Sequence, residues 1–264
     1  MAGSARLPWC VSGWWPLYWF IMKALLFCLL PCALWPQPRP APPIPKYEVK
    51  RATSPIAIDG KLDDKAWAAA NKAELTFPWE SQTGAKQKTV ARLLWDDENL
   101  YVSFECEDTD ITAQLTQRDA PTFRDDAVEI FINPMPAQQT IAYIGLEMNA
   151  RGTLYDYLSV ALTPSRRVFF KRFNLEGVKL AASIDGTLNE RADKDRGWSL
   201  EVSIPWVNFQ EFSRRPAAGA VWSFNLNRWD GVEPNRRMSI WSDSLLEQPG
   251  PHAPERFGEM RFVE

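Results

Sequence analysis

From Tyr47 to the C-terminus, apolar residues recur at every second position rather than at helical spacing, and this alternation restricts the fold more than any other feature. A period of two sends successive side chains to opposite faces of an extended chain, so such segments are stable only as strands with one face on a core. Residues 89–95 (Thr-Val-Ala-Arg-Leu-Leu-Trp) and 100–105 (Leu-Tyr-Val-Ser-Phe-Glu) flank the polar turn-formers Asp96-Asp97-Glu98-Asn99 and read as an antiparallel hairpin. Residues 127–132, 141–149, 152–158, 178–184, 198–204, 221–227 and 256–263 continue the series. Helical signals are confined to a short segment capped by Asp63 and ending at Ala70, and to one turn at Pro205-Trp206-Val207-Asn208-Phe209. The expected fold is all-β: a two-sheet antiparallel β-sandwich, jelly-roll-like, with one or two short helices. Residues 164–177 lack a period and read as a long loop rimming a site.

The first 45 residues follow different rules. Met22-Lys23-Ala24-Leu25-Leu26-Phe27 opens a short leucine-rich run that reads as a secretory signal, with Met22 as the start of translation. The run is too short for a confident membrane span. A competing reading joins it to the upstream tryptophan-rich stretch as one uncleaved anchor. Residues 36–45 are proline-rich and extended, a linker. The chain therefore divides into a signal and linker over 1–45 and a folded domain over 46–264, secreted or held in the periplasm or cell envelope. No membrane span is expected in the mature chain, and a monomer is expected.

Charge excludes one partner class. With 30 basic against 33 acidic residues and a net charge of −3, there is no basic stripe to neutralise phosphates, so nucleic acid is not a partner. Of the four cysteines only Cys106 lies in the body, in a strand pattern that makes it a small buried hydrophobe rather than a reactive thiol. Thirteen tryptophans are many for this length; five, Trp9, Trp14, Trp15, Trp19 and Trp35, precede the linker. The others are core or platforms for flat ligands, with core favoured for Trp95 and Trp241.

Several short motifs follow one another along the body: Ile58-Asp59-Gly60-Lys61-Leu62-Asp63 with Trp67, Ala91-Arg92-Leu93-Leu94-Trp95-Asp96-Asp97, Leu100-Tyr101-Val102, and Arg124-Asp125-Asp126-Ala127-Val128-Glu129-Ile130-Phe131. Glu147-Met148-Asn149, Glu201-Val202-Ser203-Ile204-Pro205-Trp206, Ile240-Trp241-Ser242 and Pro254-Glu255-Arg256-Phe257-Gly258 complete the order. Over residues 47–264 this order and spacing resemble the family 9 carbohydrate-binding modules and their single-domain relatives.

The resemblance implies a β-sandwich that grips a sugar end between two aromatic rings, with polar groups on the hydroxyls and structural calcium nearby. Carried over by position, it implies Glu129 as the hydroxyl-binding carboxylate and Phe123 as the first ring, where tryptophan is usual. Pro251 and His252 stand at the second ring position, and Glu147 replaces an arginine two positions before Asn149. The expected carbohydrate-binding residues are Phe123, Asp126, Glu129, Glu147, Asn149 and His252, in a module supporting carbohydrate catabolism. For Phe123 a packing role, and for His252 an ordinary loop role, are the plain alternatives. Acidic clusters are candidates for calcium, through Asp96, Asp108, Asp110 and Asp125, although none follows EF-hand spacing and turn chemistry alone accounts for Asp96.

Catalysis is not expected. There is no Gly-x-Ser-x-Gly elbow, P-loop or dinucleotide fingerprint, and a single histidine, His252, excludes a histidine zinc site. Glycoside hydrolase association follows from the family resemblance only. Two rivals remain open: a haem-binding electron-transfer sandwich using Met148 with Lys171 or His252, and a structural envelope module without a small ligand.

Overall fold

The computed structural model describes residues 40–136, 142–163 and 166–264. The expected signal, the alternative start at Met22 and most of the linker lie outside the described residues. The chain from Ala41 to Glu264 forms one compact unit. Its strands are β1 (Lys46–Arg51), β2 (Ala73–Glu74), β3 (Thr89–Trp95), β4 (Asn99–Glu107), β5 (Ala127–Asn133), β6 (Tyr143–Asn149) and β7 (Leu154–Thr163). They continue with β8 (Arg166–Phe170), β9 (Lys179–Asp185), β10 (Gly197–Pro205), β11 (Val221–Asp230), β12 (Arg237–Ile240) and β13 (Gly258–Val263).

Hydrogen bonding orders them β8-β7-β6-β5-β11-β13-β1-β3-β4-β10-β9, with β12 on β11 and β2 on β3. Two antiparallel halves thus fold onto one another, and β1 is the seam between them. The antiparallel expectation is corrected at that strand: β1 runs parallel to β13 from Lys46 opposite Glu259, and parallel to β3 at Lys50 opposite Leu94. One apolar core fills the space between the halves, with Val128, Leu146 and Phe224 from one side and Leu93, Val102 and Leu200 from the other. Trp95 packs edge-on against Phe262 within it. Cys106 is buried here as well, and burial pushes its thiol up to about 12, the behaviour of an inert hydrophobe.

The expected strands are realised within a few residues, and β1, β2, β8 and β12 are additional. Residues 164–177, expected as a loop, contain β8, whose short polar-apolar run Arg-Arg-Val-Phe-Phe has too few residues to show a period. The helical segments are single tight turns, over Lys65–Ala69 and Trp206–Phe209. Asp64, not Asp63, occupies the cap position of the first, and its carboxylate accepts from the Ala57 amide instead of capping.

Glu201 explains the motif that begins at Ile58. It lies in β10, fully buried, and its carboxylate accepts from the Trp67 indole at 2.7 Å, the Gly60 amide at 3.0 Å and the Asp59 amide at 3.2 Å. Gly60 adopts φ +84°, and a Cβ there would stand 2.6 Å from the Ala182 carbonyl carbon, so only glycine lets this turn lie on the sheet. Glu201→Ala leaves three donors without an acceptor and is expected to lower the unfolding free energy by about 3 kcal/mol, read by urea denaturation.

Candidate functional site

The pleat gives β5, β6 and β7 a second face, turned away from the core. Val128, Ile130, Ile144, Leu146 and Met148 point inward, and so Glu129, Phe131, Tyr143, Glu147, Tyr155 and Tyr157 point outward. Two neighbouring strands carry aromatics here because ring packs on ring: Phe131 stacks on Tyr143 at 4.9 Å, and Tyr157 meets Phe169 of β8 edge-on at 5.3 Å. Gly145, opposite Tyr157, makes the arrangement possible, since a Cβ there would lie 2.5 Å from the tyrosine ring.

Loops roof this face and leave a cavity of about 400 Å³. Its floor is Glu129, Glu147, Tyr155 and Tyr157; Trp229 of β11, Phe169 and Lys171 form walls, with Phe123 and His252 at the edges. Phe123 belongs to the turn Thr122–Arg124 and is half-buried, leaning at 47° against Tyr155. His252 stacks on Phe131 at 5.4 Å and is bonded through Nδ1 to the Tyr143 hydroxyl at 2.7 Å. The rings packed on it, and then the Arg167 charge, hold its imidazole below the usual range and therefore neutral at pH 7.

Glu129 and Glu147 face each other across β5 and β6. Both are shut off from solvent, at 1% and 3% exposure. Glu147 Oε1 accepts from the Tyr157 hydroxyl at 2.8 Å, whereas Glu147 Oε2 and Glu129 Oε2 have no hydrogen-bond partner among the described residues. Arg236 Nε and Nη2 are likewise buried and unpartnered, and its guanidinium lies 4.1 Å over the Trp229 ring. Burial, then the neighbouring Glu147 charge, raises Glu129 well above the carboxylate range; burial pushes Glu147 up to about 8.

The remaining expected residues are scaffolding. Asn149 does not reach the cavity: its amide donates to Leu115 O and Asp125 Oδ2, and its oxygen accepts from the Thr153 and Arg151 amides. Asp126 accepts from the Thr112 and Gly231 amides, pinning two loops. Among the haem candidates, Lys171 and His252 line the cavity but Met148 points into the core on the opposite face, so no axial pair with it can form. Tyr155, Tyr157, Trp229 and Arg236 were not anticipated. Trp229 continues the alternation Asn225, Asn227 along β11, a signal that extends the strand two residues beyond its expected end.

The calcium candidates scatter. Asp96 closes the β3–β4 turn by accepting from the Glu98 and Asn99 amides and the Tyr101 hydroxyl. Asp125 accepts from the Leu115 amide and Asn149, and Asp110 pairs with Arg191. Among the described residues only Asp108 gathers with other carboxylates, those of Asp126 and Asp230. That cluster does not fit a cation. Arg228, fully buried, donates Nη2 to Asp108 at 2.9 Å and to Asp230 at 2.7 Å. Gln87, Trp198, Arg237 and backbone amides serve the other oxygens, so each of the six already accepts from the protein.

With a cavity on the outer face of one sheet, partly open to solvent, the molecule has the form of a small-ligand binding module. Residues 58–264 match the family described as carbohydrate family 9 binding domain-like, and the chain belongs to that family. It is 29% identical over 149 residues to endo-1,4-beta-xylanase C of Paenibacillus barcinonensis, covering 55% of this chain and 13% of that enzyme. To endo-1,4-beta-xylanase A of Thermotoga neapolitana it is 24% identical over 207 residues, 78% of this chain and 17% of the enzyme. The chain thus spans less than a fifth of either xylanase. In fold it is similar to a Bacteroides uniformis protein proposed to bind carbohydrate (TM-score 0.70, 20% identity, 83% of this chain and 100% of that one). A family 9 module of Caldicellulosiruptor kristjanssonii in complex with cellotriose is also similar (TM-score 0.57, 17% identity, 83% and 93%).

Two outcomes follow from this chemistry. Because folding raises the Glu147 pKa, stability is highest when the group is protonated in both states, and falls as pH rises from about 4.5 towards 8. Glu147→Gln should therefore raise the thermal midpoint by about 5 °C at pH 8, with the gain vanishing near pH 4, measured by calorimetry. Arg228→Met, which removes the buried cation paired with Asp108 and Asp230, should cost about 3–5 kcal/mol in urea denaturation, while EDTA leaves the midpoint of the unaltered protein unchanged.

Proposed function

We propose that this chain is a non-catalytic carbohydrate-binding module of an exported protein, taking the end of a glycan into the cavity above β5–β8. The observation that supports it most is the joint presence of aromatic rings and buried polar atoms without partners around one cavity. Sugar C–H faces gain from contact with rings, and sugar hydroxyls are both donors and acceptors. A hydroxyl can donate to Glu129 Oε2 or Glu147 Oε2 and accept from Arg236, supplying what the protein leaves open. Phe123, Tyr155 and Trp229 are the platforms in this reading, and His252 holds the rim. Asp126 and Asn149 support the strand ends.

The xylanase relatives suggest a role beside an enzyme that degrades plant polysaccharide, and the leucine-rich leader suggests export to the cell envelope or beyond.

Titration calorimetry with xylo- and cello-oligosaccharides, alongside a glycan array, tests the reading. Phe123→Ala and Glu129→Gln are each expected to weaken binding about tenfold or more, loss of a ring contact or of a buried hydrogen bond costing roughly 1–3 kcal/mol. Binding that survives both substitutions would place the site elsewhere.

A further inference from the structure

The charged groups of the cavity carry the reading one step further, and the step rests on the carbohydrate proposal above. Arg236 presents Nε and Nη2, the two donors on one edge of its guanidinium, and both are buried without a partner. Stacking on Trp229 at 4.1 Å holds the guanidinium plane, so this fork is preset. A fork of that kind matches a carboxylate with two parallel hydrogen bonds, a geometry that a single sugar hydroxyl cannot reproduce.

The charge balance points the same way. Lys171 lies on the cavity wall, its ammonium 5.8 Å over the Tyr155 ring. Neither Arg236 nor Lys171 forms an ion pair among the described residues. Opposite them stand Glu129 and Glu147, neighbours across two strands and both out of water. Burial raises both carboxyls above the usual carboxylate range, and the Glu147 charge adds to the rise at Glu129, so the protonated form is favoured at this pair. Lys171 is exposed to solvent, so the buried, unpartnered edge of Arg236 is the cationic group that the cavity leaves open.

We infer that the cavity is selective for an acidic sugar: a glycan terminus bearing a hexuronic acid, whose carboxylate seats on the Arg236 fork while its ring hydroxyls donate to Glu129 and Glu147. Lys171 adds longer-range attraction. The protonated member of the carboxyl pair serves as a donor to a ring or glycosidic oxygen, which removes the repulsion that two ionised glutamates would exert on a uronate.

Calorimetry at pH 7 with oligosaccharides ending in glucuronic or galacturonic acid, each compared with its carboxyl-reduced counterpart, tests this directly. A sulfated sugar in a further arm separates carboxylate geometry from charge alone. The uronate is expected to bind about tenfold more tightly than its reduced form, and more tightly than the sulfate ester. In Arg236→Gln that ratio should fall to about one, and Arg236→Lys, which keeps charge without the fork, should recover only part of it. Circular dichroism melting of both variants confirms that the fold is intact. If the reduced sugars bind as tightly as the uronates, the acidic-sugar inference is overturned and the carbohydrate reading stands. A sulfate ester that matches or exceeds the uronate overturns the carboxylate fork. If no saccharide of any kind binds, both fall together.

Discussion

Strands β5 and β6 are buried on both faces, and the two faces are chemical opposites. Inward, isoleucine, valine, leucine and methionine join the core that holds the two halves of the sheet together. Outward, the same strands carry glutamates and rings under a roof of loops. Sheet pleating ties these two faces rigidly: a shift of one residue in register would put Glu129 in the core and Ile130 in the cavity. The core therefore fixes the site. The apolar drive that seats Val128, Ile130, Leu146 and Met148 also orders the outward carboxylates, at an electrostatic cost that the protein leaves for a ligand to relieve.

Polar groups inside the fold fall into two sorts, distinguished by whether their partners are complete. Glu201 and the Asp108–Asp126–Asp230 group have donors for every oxygen, and they join segments far apart in sequence: Trp67 to β10, and Thr112 to Gly231. Such satisfied networks select one arrangement of loops among many. Glu129 and Glu147, equally removed from water, and the buried Nε and Nη2 of the half-buried Arg236 keep open hydrogen-bonding capacity instead. Buried polar atoms left unpaired are rare in folded proteins; others occur at Arg92, Ser103, Asp110, Asn227, Arg228 and Ser239, but those of Glu129, Glu147 and Arg236 line one cavity together.

Family membership and site chemistry do not coincide in this chain. Most of the motif residues shared with the family turn out to be structural: Gly60 allows a close backbone approach, Glu201 ties the first turn, Asn149 closes the β6–β7 turn, and Arg256 holds the strand before β1 by donating to Pro42 O. Departures cluster at the cavity, where a glutamate stands at position 147 and phenylalanine at 123.

Strand alternation was enough to determine the all-β class, most strand positions, the inertness of Cys106 and the core roles of Trp95 and Trp241, because each depends on local period and apolar content. The family resemblance carried by the order of motifs named Phe123, Glu129, Glu147 and His252, and the fold brings all four to one cavity. Tyr155, Tyr157, Trp229 and Arg236 escaped notice because nothing local marks them: their role arises when β7 registers against β6 and a loop folds back over β11. The same holds for the Asp108, Asp126 and Asp230 cluster, whose members come from three separate segments, and for Arg228, which lies just past the expected end of its strand at residue 227. Alternation says which residues share a face of a strand, but only pairing between strands decides which faces meet, and so which charges lie within reach of one another.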